Sequence, residues 1–551
     1  MLSSSQKHCL TQLIIVAAGC LLFLSGLGGV HLFDWDEINF AESAREMIVS
    51  GNYLDVQINF EPFPEKPPLF IWIQAASMKM FGVNEFAARF PNAICGIITL
   101  LFLYNIGKRL KGYKFGLLWL GSYLCSLLPF FYFKSGIIDP WFNLFIFLGI
   151  YFFAVFTMSD RSAYKHLALS GLCLGLAAMT KGPVAILIFL LSFVVFLIYR
   201  KFKLNYNYKQ VIWFAAILTI VSGLWFFLQM IFGNSKIIAQ FIDYQIRLFQ
   251  TEDAGHGGFF LYHFVILLMG VFPASILALP TFRRKALSDE TSIKTKRMFE
   301  WLMILFWVVL LLFSIVQTKI IHYSSLCYFP LSFLAAYYIY QIIQKKTTLK
   351  IFQKASLIFV AVIWGFAALA ITTFDQWKTL ILATADEFTA GNLQATSSWL
   401  GFEPLIGILL ITVTIYFCCK VNVKRSFALF GVFLGSSLFY IFSIMLLVVP
   451  NVERYTQQAV IEFLKDKADD DCYFLPVHYS YAHYFYGNIQ YKMPDQSNDT
   501  ERQQYMSGAI DKSCYFILRN TESNNQRFMT NAPDAQRLYD KNGFVFYVRN
   551  P

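Results

Sequence analysis

Charge is what this chain has least of. Only 14% of its 551 residues are Asp, Glu, Lys or Arg, against about 25% in soluble globular domains, which excludes a water-exposed surface over most of the polypeptide. No CxxC, HxH or HExxH spacing occurs, so the usual signatures of a thiol redox centre or a histidine-rich zinc site are missing. No internal repeat is visible at any obvious period. The formal charge of +11 does not imply nucleic acid, because the basic residues are scattered between apolar runs rather than gathered into a stripe.

What the chain does have is hydrophobic residues, at 57%. They fall into runs close to the ~20 residues that a helix needs to cross a ~30 Å hydrocarbon core. Thirteen spans are expected, at about 11–30, 86–106, 115–133, 141–157, 167–180, 183–199, 210–230, 259–280, 299–316, 323–343, 351–372, 401–419 and 426–449. The first lacks a clear small-residue cleavage site and reads as an uncleaved helix. With the N-terminus inside, Lys and Arg in the inner segments outnumber those in the outer loops by more than two to one. The positive-inside rule then fixes the orientation and accounts for most of the net charge. The expectation is a multi-pass protein of the cytoplasmic membrane, divided into a membrane domain (1–449) and an outer C-terminal domain (450–551). Short β-like runs in the tail (472–477, 514–518, 544–548) between polar stretches predict a small α/β fold. Eight of the ten cysteines sit in or beside apolar runs. Cys472 and Cys514 each open a strand-like run, and there a disulfide or two neighbouring free thiols are both open.

The first outer loop, 31–85, is too long to be a mere connector. Phe40, Ala44 and Met47 recur at helical spacing, which predicts a helix over 37–50 lying along the membrane surface. A second is expected from Pro67 and Pro68 onward. The loop is acidic, which alone is unremarkable for an exposed loop. Other outer-side features are harder to dismiss: Glu65-Lys66 between prolines, Asp139-Pro140 at a helix mouth, and Lys181-Gly182-Pro183 between two spans. Ionisable groups at such mouths are costly unless paired, and commonly line a substrate path. The 233–258 loop adds Arg247 and a glycine-flanked His256; Lys319, His322 and Tyr323 stand at another outer junction. A lone histidine is usually a solvated loop residue, but Glu65 and His256 together are possible ligands of zinc or another divalent cation. Cations Lys66, Lys181, Arg247 and Lys319 beside Asp36 and Asp139 suit a phosphate and a reacting hydroxyl, and equally the anion site of a transporter.

The strings Phe33-Asp34-Trp35-Asp36-Glu37, Ala41 to Met47, Glu65-Lys66-Pro67-Pro68, Asp139-Pro140, Met179-Thr180-Lys181-Gly182 and Glu252 to Gly258 resemble, in order and spacing, the lipid A aminoarabinose transferases. These are members of the GT-C clan of integral-membrane glycosyltransferases, which also holds the protein O-mannosyltransferases. The likeness runs to about Tyr323. It implies a GT-C-like all-α polytopic bundle with surface helices in the first outer loop and a small outer α/β domain. It also implies a polyprenyl-phosphate-sugar donor and no nucleotide cofactor. Residue by residue, Lys66 matches the donor-phosphate lysine, with Arg247 and Lys319 as helpers and Tyr323 lining the donor pocket; Lys181 is a further phosphate-binding candidate by its place at a helix mouth. Asp36 matches the acidic residue of the first outer loop, Asp139 a supporting carboxylate, and Glu65 with His256 a zinc-binding pair. Trp35 stands where the family's triplet has proline.

The function expected is inverting transfer of a sugar to lipid A or a related outer acceptor by a monomeric enzyme among membrane lipids. A protein or glycan acceptor is the alternative within the clan. A lipid or anion transporter is the alternative outside it, disfavoured by the long first loop and by the absence of repeats.

Overall fold

A computed structural model of the chain describes all residues except 1–2, 159–163, 203–206, 251–256, 284–286, 288–289, 478–479 and 495–497. Among the described residues, nine helices are long and apolar enough to cross a membrane, ten if the bent pair Tyr262–Gly270 and Ala274–Phe282 forms one span. Thirteen were expected. The other three segments are a pair of short helices (Tyr113–Leu124 and Leu127–Tyr132), Tyr164–Lys181 and Val184–Tyr199. The chain is a multi-pass membrane protein.

Local chemistry explains many helix ends. The Asn84 side chain accepts the Ala87 backbone N–H at the start of Glu85–Lys111, whose last turn carries Lys108, Arg109 and Lys111 against the negative end of the helix dipole. Pro140 sits in the first turn of Asp139–Thr157, where its missing N–H costs nothing. The expected single span over 259–280 is bent by 106° at Val271–Pro273, a break that mean hydropathy does not register. Helices Ile351–Thr372 and Pro404–Lys424 touch at Gly365 and Gly407, where a Cβ on Gly407 would lie 2.4 Å from the Gly365 carbonyl oxygen. Small residues allow such backbone approach where lipid gives no hydrophobic drive.

Outside the bundle, the first loop forms helix Asp36–Ser50, a two-stranded turn of β1 (Gln57–Ile58) and β2 (Glu61–Pro62), and helix Leu69–Phe81. The chain leaves the last span along Phe427–Arg454 and builds a four-stranded sheet from β3 (Tyr473–Pro476), β4 (Cys514–Arg519), β5 (Gln536–Lys541) and β6 (Phe544–Arg549). The order is β3-β4-β6-β5, with β3 parallel to β4 and the other pairs antiparallel. Cys472 and Cys514 are buried free thiols.

Tail and loop share one core. Ile38, Met47 and Ile71 of the loop pack in the same cluster as Ile461, Phe474 and Phe485 of the tail. Polar contacts lock the seam: Asn59 and Met493 exchange two hydrogen bonds (2.9 and 2.6 Å), and the Leu32 N–H donates to the Tyr486 hydroxyl at 2.6 Å.

Candidate active site

The loop helix Asp36–Ser50 is polar in composition, yet every residue from Glu37 to Met47 is buried. It is held by ion pairs. Arg89, from the helix Glu85–Lys111, grips both oxygens of Glu37 at 2.9 and 2.8 Å. The same guanidinium donates to the carbonyls of Leu27, Val30 and His31. Burial pushes the Glu37 carboxyl up, but the Arg89 charge and hydrogen bonds from Arg89, Phe33 and Gly136 outweigh it and hold Glu37 below the usual carboxylate range. This clamp fixes the start of the helix, where Asp36 projects with 46% of its side chain exposed.

Asp36 faces a cavity of about 1120 Å³. Asp139 enters from the N-terminus of its own span, 2% exposed, and accepts a hydrogen bond from Lys181 at 2.7 Å. Between the two carboxylates stands His322, its Nε2 3.7 Å from Asp36 Oδ2 and 3.9 Å from Asp139 Oδ2. Lys181 also lies 5.3 Å above the Tyr323 ring, within the range where a cation gains from an aromatic face.

A second group of charges on the lining gathers around Tyr244. The Tyr244 hydroxyl donates to Glu65 Oε2 at 2.9 Å. Lys66 Nζ lies 4.8 Å and the Arg247 guanidinium 5.1 Å from the centre of the same Tyr244 ring, and Lys66 Nζ is 3.8 Å from Glu65. One tyrosine thus gathers two cations and a carboxylate. Beyond the polar walls the lining is apolar, with Leu128, Val184, Ile188, Phe313 and Leu326.

Eight residues singled out in the sequence meet here: Asp36, Glu65, Lys66, Asp139, Lys181, Arg247, Lys319 and Tyr323 all line the one cavity. His256 lies outside the described residues. Lys319 lines the wall, but its ammonium donates to the carbonyls of Phe313, Ser314 and Val316. An ammonium has three N–H bonds, so in this geometry Lys319 caps the end of helix Ile293–Ile315 and has no donor left for a phosphate. Among the described residues, no three His, Cys, Asp or Glu side chains are grouped so as to hold a metal ion. Glu65 by itself does not make a zinc site.

Tyr244 and Tyr481 were not foreseen, and neither was His322's place between the carboxylates. Tyr244 belongs to helix Ser235–Gln250, within what reads as an outer loop; Ile237, Phe241 and Tyr244 at helical spacing are the available signal. Tyr481 comes from the tail, whose neighbouring Ser480 donates to Asp34. No local pattern links positions so far apart.

The family described as dolichyl-phosphate-mannose-protein mannosyltransferase matches residues 65–226. An undecaprenyl phosphate-alpha-4-amino-4-deoxy-L-arabinose arabinosyl transferase of Photorhabdus laumondii is 28% identical over 328 residues, 57% of each chain. One from Pectobacterium atrosepticum is 27% identical over 347 residues, 60% of this chain and 59% of that one. The chain therefore aligns with somewhat under two thirds of the length of these relatives. The crystal structure of ArnT from Cupriavidus metallidurans bound to undecaprenyl phosphate superposes with a TM-score of 0.76 at 14% identity, covering 98% of this chain and 99% of that one. That likeness is one of fold: the chain has the architecture of this membrane transferase over nearly its whole length. In sequence the chain is similar to the aminoarabinose transferases, as its motifs implied, and over 65–226 to the mannosyltransferase family.

Proposed function

We propose that this chain moves a sugar from a polyprenyl-phosphate-linked donor to lipid A or a related acceptor, with inversion, on the extracytoplasmic face of the membrane. One observation carries the reading: a single cavity lined by the cations Lys66, Lys181 and Arg247, by the carboxylates Asp36, Glu65 and Asp139, and by apolar side chains such as Leu128, Ile188 and Leu326. That is the chemistry of a phosphate on a lipid tail beside a nucleophile. The names of the relatives, undecaprenyl phosphate-aminoarabinose transferases, support the donor class. The excess of Lys and Arg in the loops opposite the cavity supports the orientation.

In the reaction, an acceptor oxygen attacks the anomeric carbon from the face opposite the phosphate. The bond from that carbon to the phosphate oxygen breaks, and the polyprenyl phosphate leaves with the electron pair. Lys66 and Arg247 offset the charge gathering on the leaving phosphate, the electrostatic contribution that usually dominates such catalysis. Asp36, exposed to the cavity, takes the proton of a hydroxyl acceptor; for an acceptor that is already an anion, such as a phosphate, Asp36 orients it. Lys181 holds Asp139 in place. A protein acceptor is the second reading, favoured by the match to a protein mannosyltransferase family.

The test is lipid and protein mass spectrometry on cells with and without the gene. One sugar added to lipid A supports the first reading, and sugar on protein supports the second. No sugar on either, with the protein folded and a lipid-linked donor present, overturns both.

A further inference from the structure

A second cavity, of about 350 Å³, lies at the far end of the helix that borders the first. The segment Ile321–Cys327 reaches the active-site cavity, and helix Tyr328–Ile343 continues from it. Its 16 residues rise about 24 Å at 1.5 Å each, most of the ~30 Å hydrocarbon core. The second cavity therefore opens on the other face of the membrane, where the basic loops lie.

Arg283, Lys346 and Lys350 line it, all exposed. Among the described residues, no ion pair engages any of the three. Three cations at this face would follow from topology alone; a buried donor beside them would not. Gln353 is 3% exposed and lines the cavity. Its Oε1 accepts from the Lys350 N–H at 2.7 Å and the Tyr338 hydroxyl at 2.8 Å, so the amide orientation is fixed. Its Nε2 is buried and has no hydrogen-bond partner. An unsatisfied buried donor costs free energy, and an acceptor in the cavity would relieve it. Phe352, 66% exposed, also lines the cavity and adds apolar surface beside the cations.

We propose that this cavity binds the phosphate of an anionic phospholipid of that leaflet, held by Arg283, Lys346, Lys350 and the Gln353 amide, with its chains against Phe352. Basic pockets between spans on the cytoplasmic side recognise lipid headgroups by this chemistry. The site is separate from the donor cavity and needs no property of the reaction.

The test uses the full chain in nanodiscs of phosphatidylcholine with a minor share of phosphatidylglycerol, and native mass spectrometry of the lipid retained on release. Wild type is expected to retain phosphatidylglycerol. The variant R283Q/K346Q/K350Q should lose it by roughly tenfold or more, in line with removal of three charge-assisted contacts. The charge-conserving K346R/K350R should keep it, which separates lost charge from lost fold. Equal retention by wild type and the triple glutamine variant overturns the proposal. In a parallel arm, inorganic phosphate is titrated against thermal unfolding in detergent. If phosphate alone protects wild type but not the variant, and phosphatidylglycerol is not retained, the ligand is free phosphate and the lipid assignment is overturned. Lipid retention with no effect of phosphate supports it.

Discussion

Two helices invert the usual link between composition and burial. Asp36–Ser50, with Glu37, Glu42, Arg45 and Glu46, buries eleven consecutive residues. Tyr208–Ile231, apolar almost throughout, buries only Trp225 and Gln229, and Ile220 and Phe227 stand 70% and 62% exposed. In water the second would aggregate, while in lipid its exposure is costless. The polar helix pays its desolvation cost through partners: Glu37 through Arg89, and Glu42 through Arg45 at 2.8 and 2.7 Å. Here the buried Glu37–Arg89 pair fixes the start of the helix that presents Asp36 to the cavity.

Breaking the polar side should therefore cost far more than altering the apolar one. Asp36→Asn keeps the shape and removes the base; for a hydroxyl acceptor, transfer from a lipid-linked donor should fall by about 10²–10⁴ in single-turnover assays, with thermal stability unchanged. Full activity in this variant would remove Asp36 from the mechanism. Glu37→Ala strands the Arg89 guanidinium in the interior, an expected loss of roughly 3–5 kcal/mol, read as a collapse of folded yield or of thermal midpoint in detergent. A stable Glu37→Ala protein would show that the clamp is dispensable. His322→Gln should lower kcat by about tenfold, leave donor KM near wild type and alter the pH–rate profile; a uniform loss with an unchanged profile would make His322 a packing residue only. At the bottom of the scale, Ile220→Leu on the lipid-facing helix should stay within about 0.5 kcal/mol of wild type. A larger change would mean that this face meets a partner rather than lipid.

The spans and the loop helices were legible because hydropathy and period 3.6 are local. Even the prolines were correctly placed: Pro67 and Pro68 precede helix Leu69–Phe81. What escaped was non-local or masked by composition. β5, Gln536–Lys541, is exposed along its length and offers no alternating pattern. Glu37 read as one more loop carboxylate, since nothing in the chain announces that Arg89, 52 positions on, will reach it. Lys319 read as a phosphate ligand from its place at a junction, whereas three carbonyls at a helix end take up its donors. Eight candidate positions share one cavity because short motifs at span mouths all fall on one side of the bundle.

The seam between loop and tail has a consequence for biogenesis. Asn59 and Met493 are 434 residues apart. At 5–20 residues per second, the ribosome needs on the order of 20–90 s to make the partner that the loop lacks. For that interval the cluster of Ile38, Met47 and Ile71 lacks the tail residues Ile461, Phe474 and Phe485 that complete it, although the spans around it are already inserted. The reaction chamber is thus finished late, by a segment from the other end of the message, and a nascent chain stalled before that point would carry every residue of the Tyr244 group yet present an open, adhesive flank to quality-control proteases.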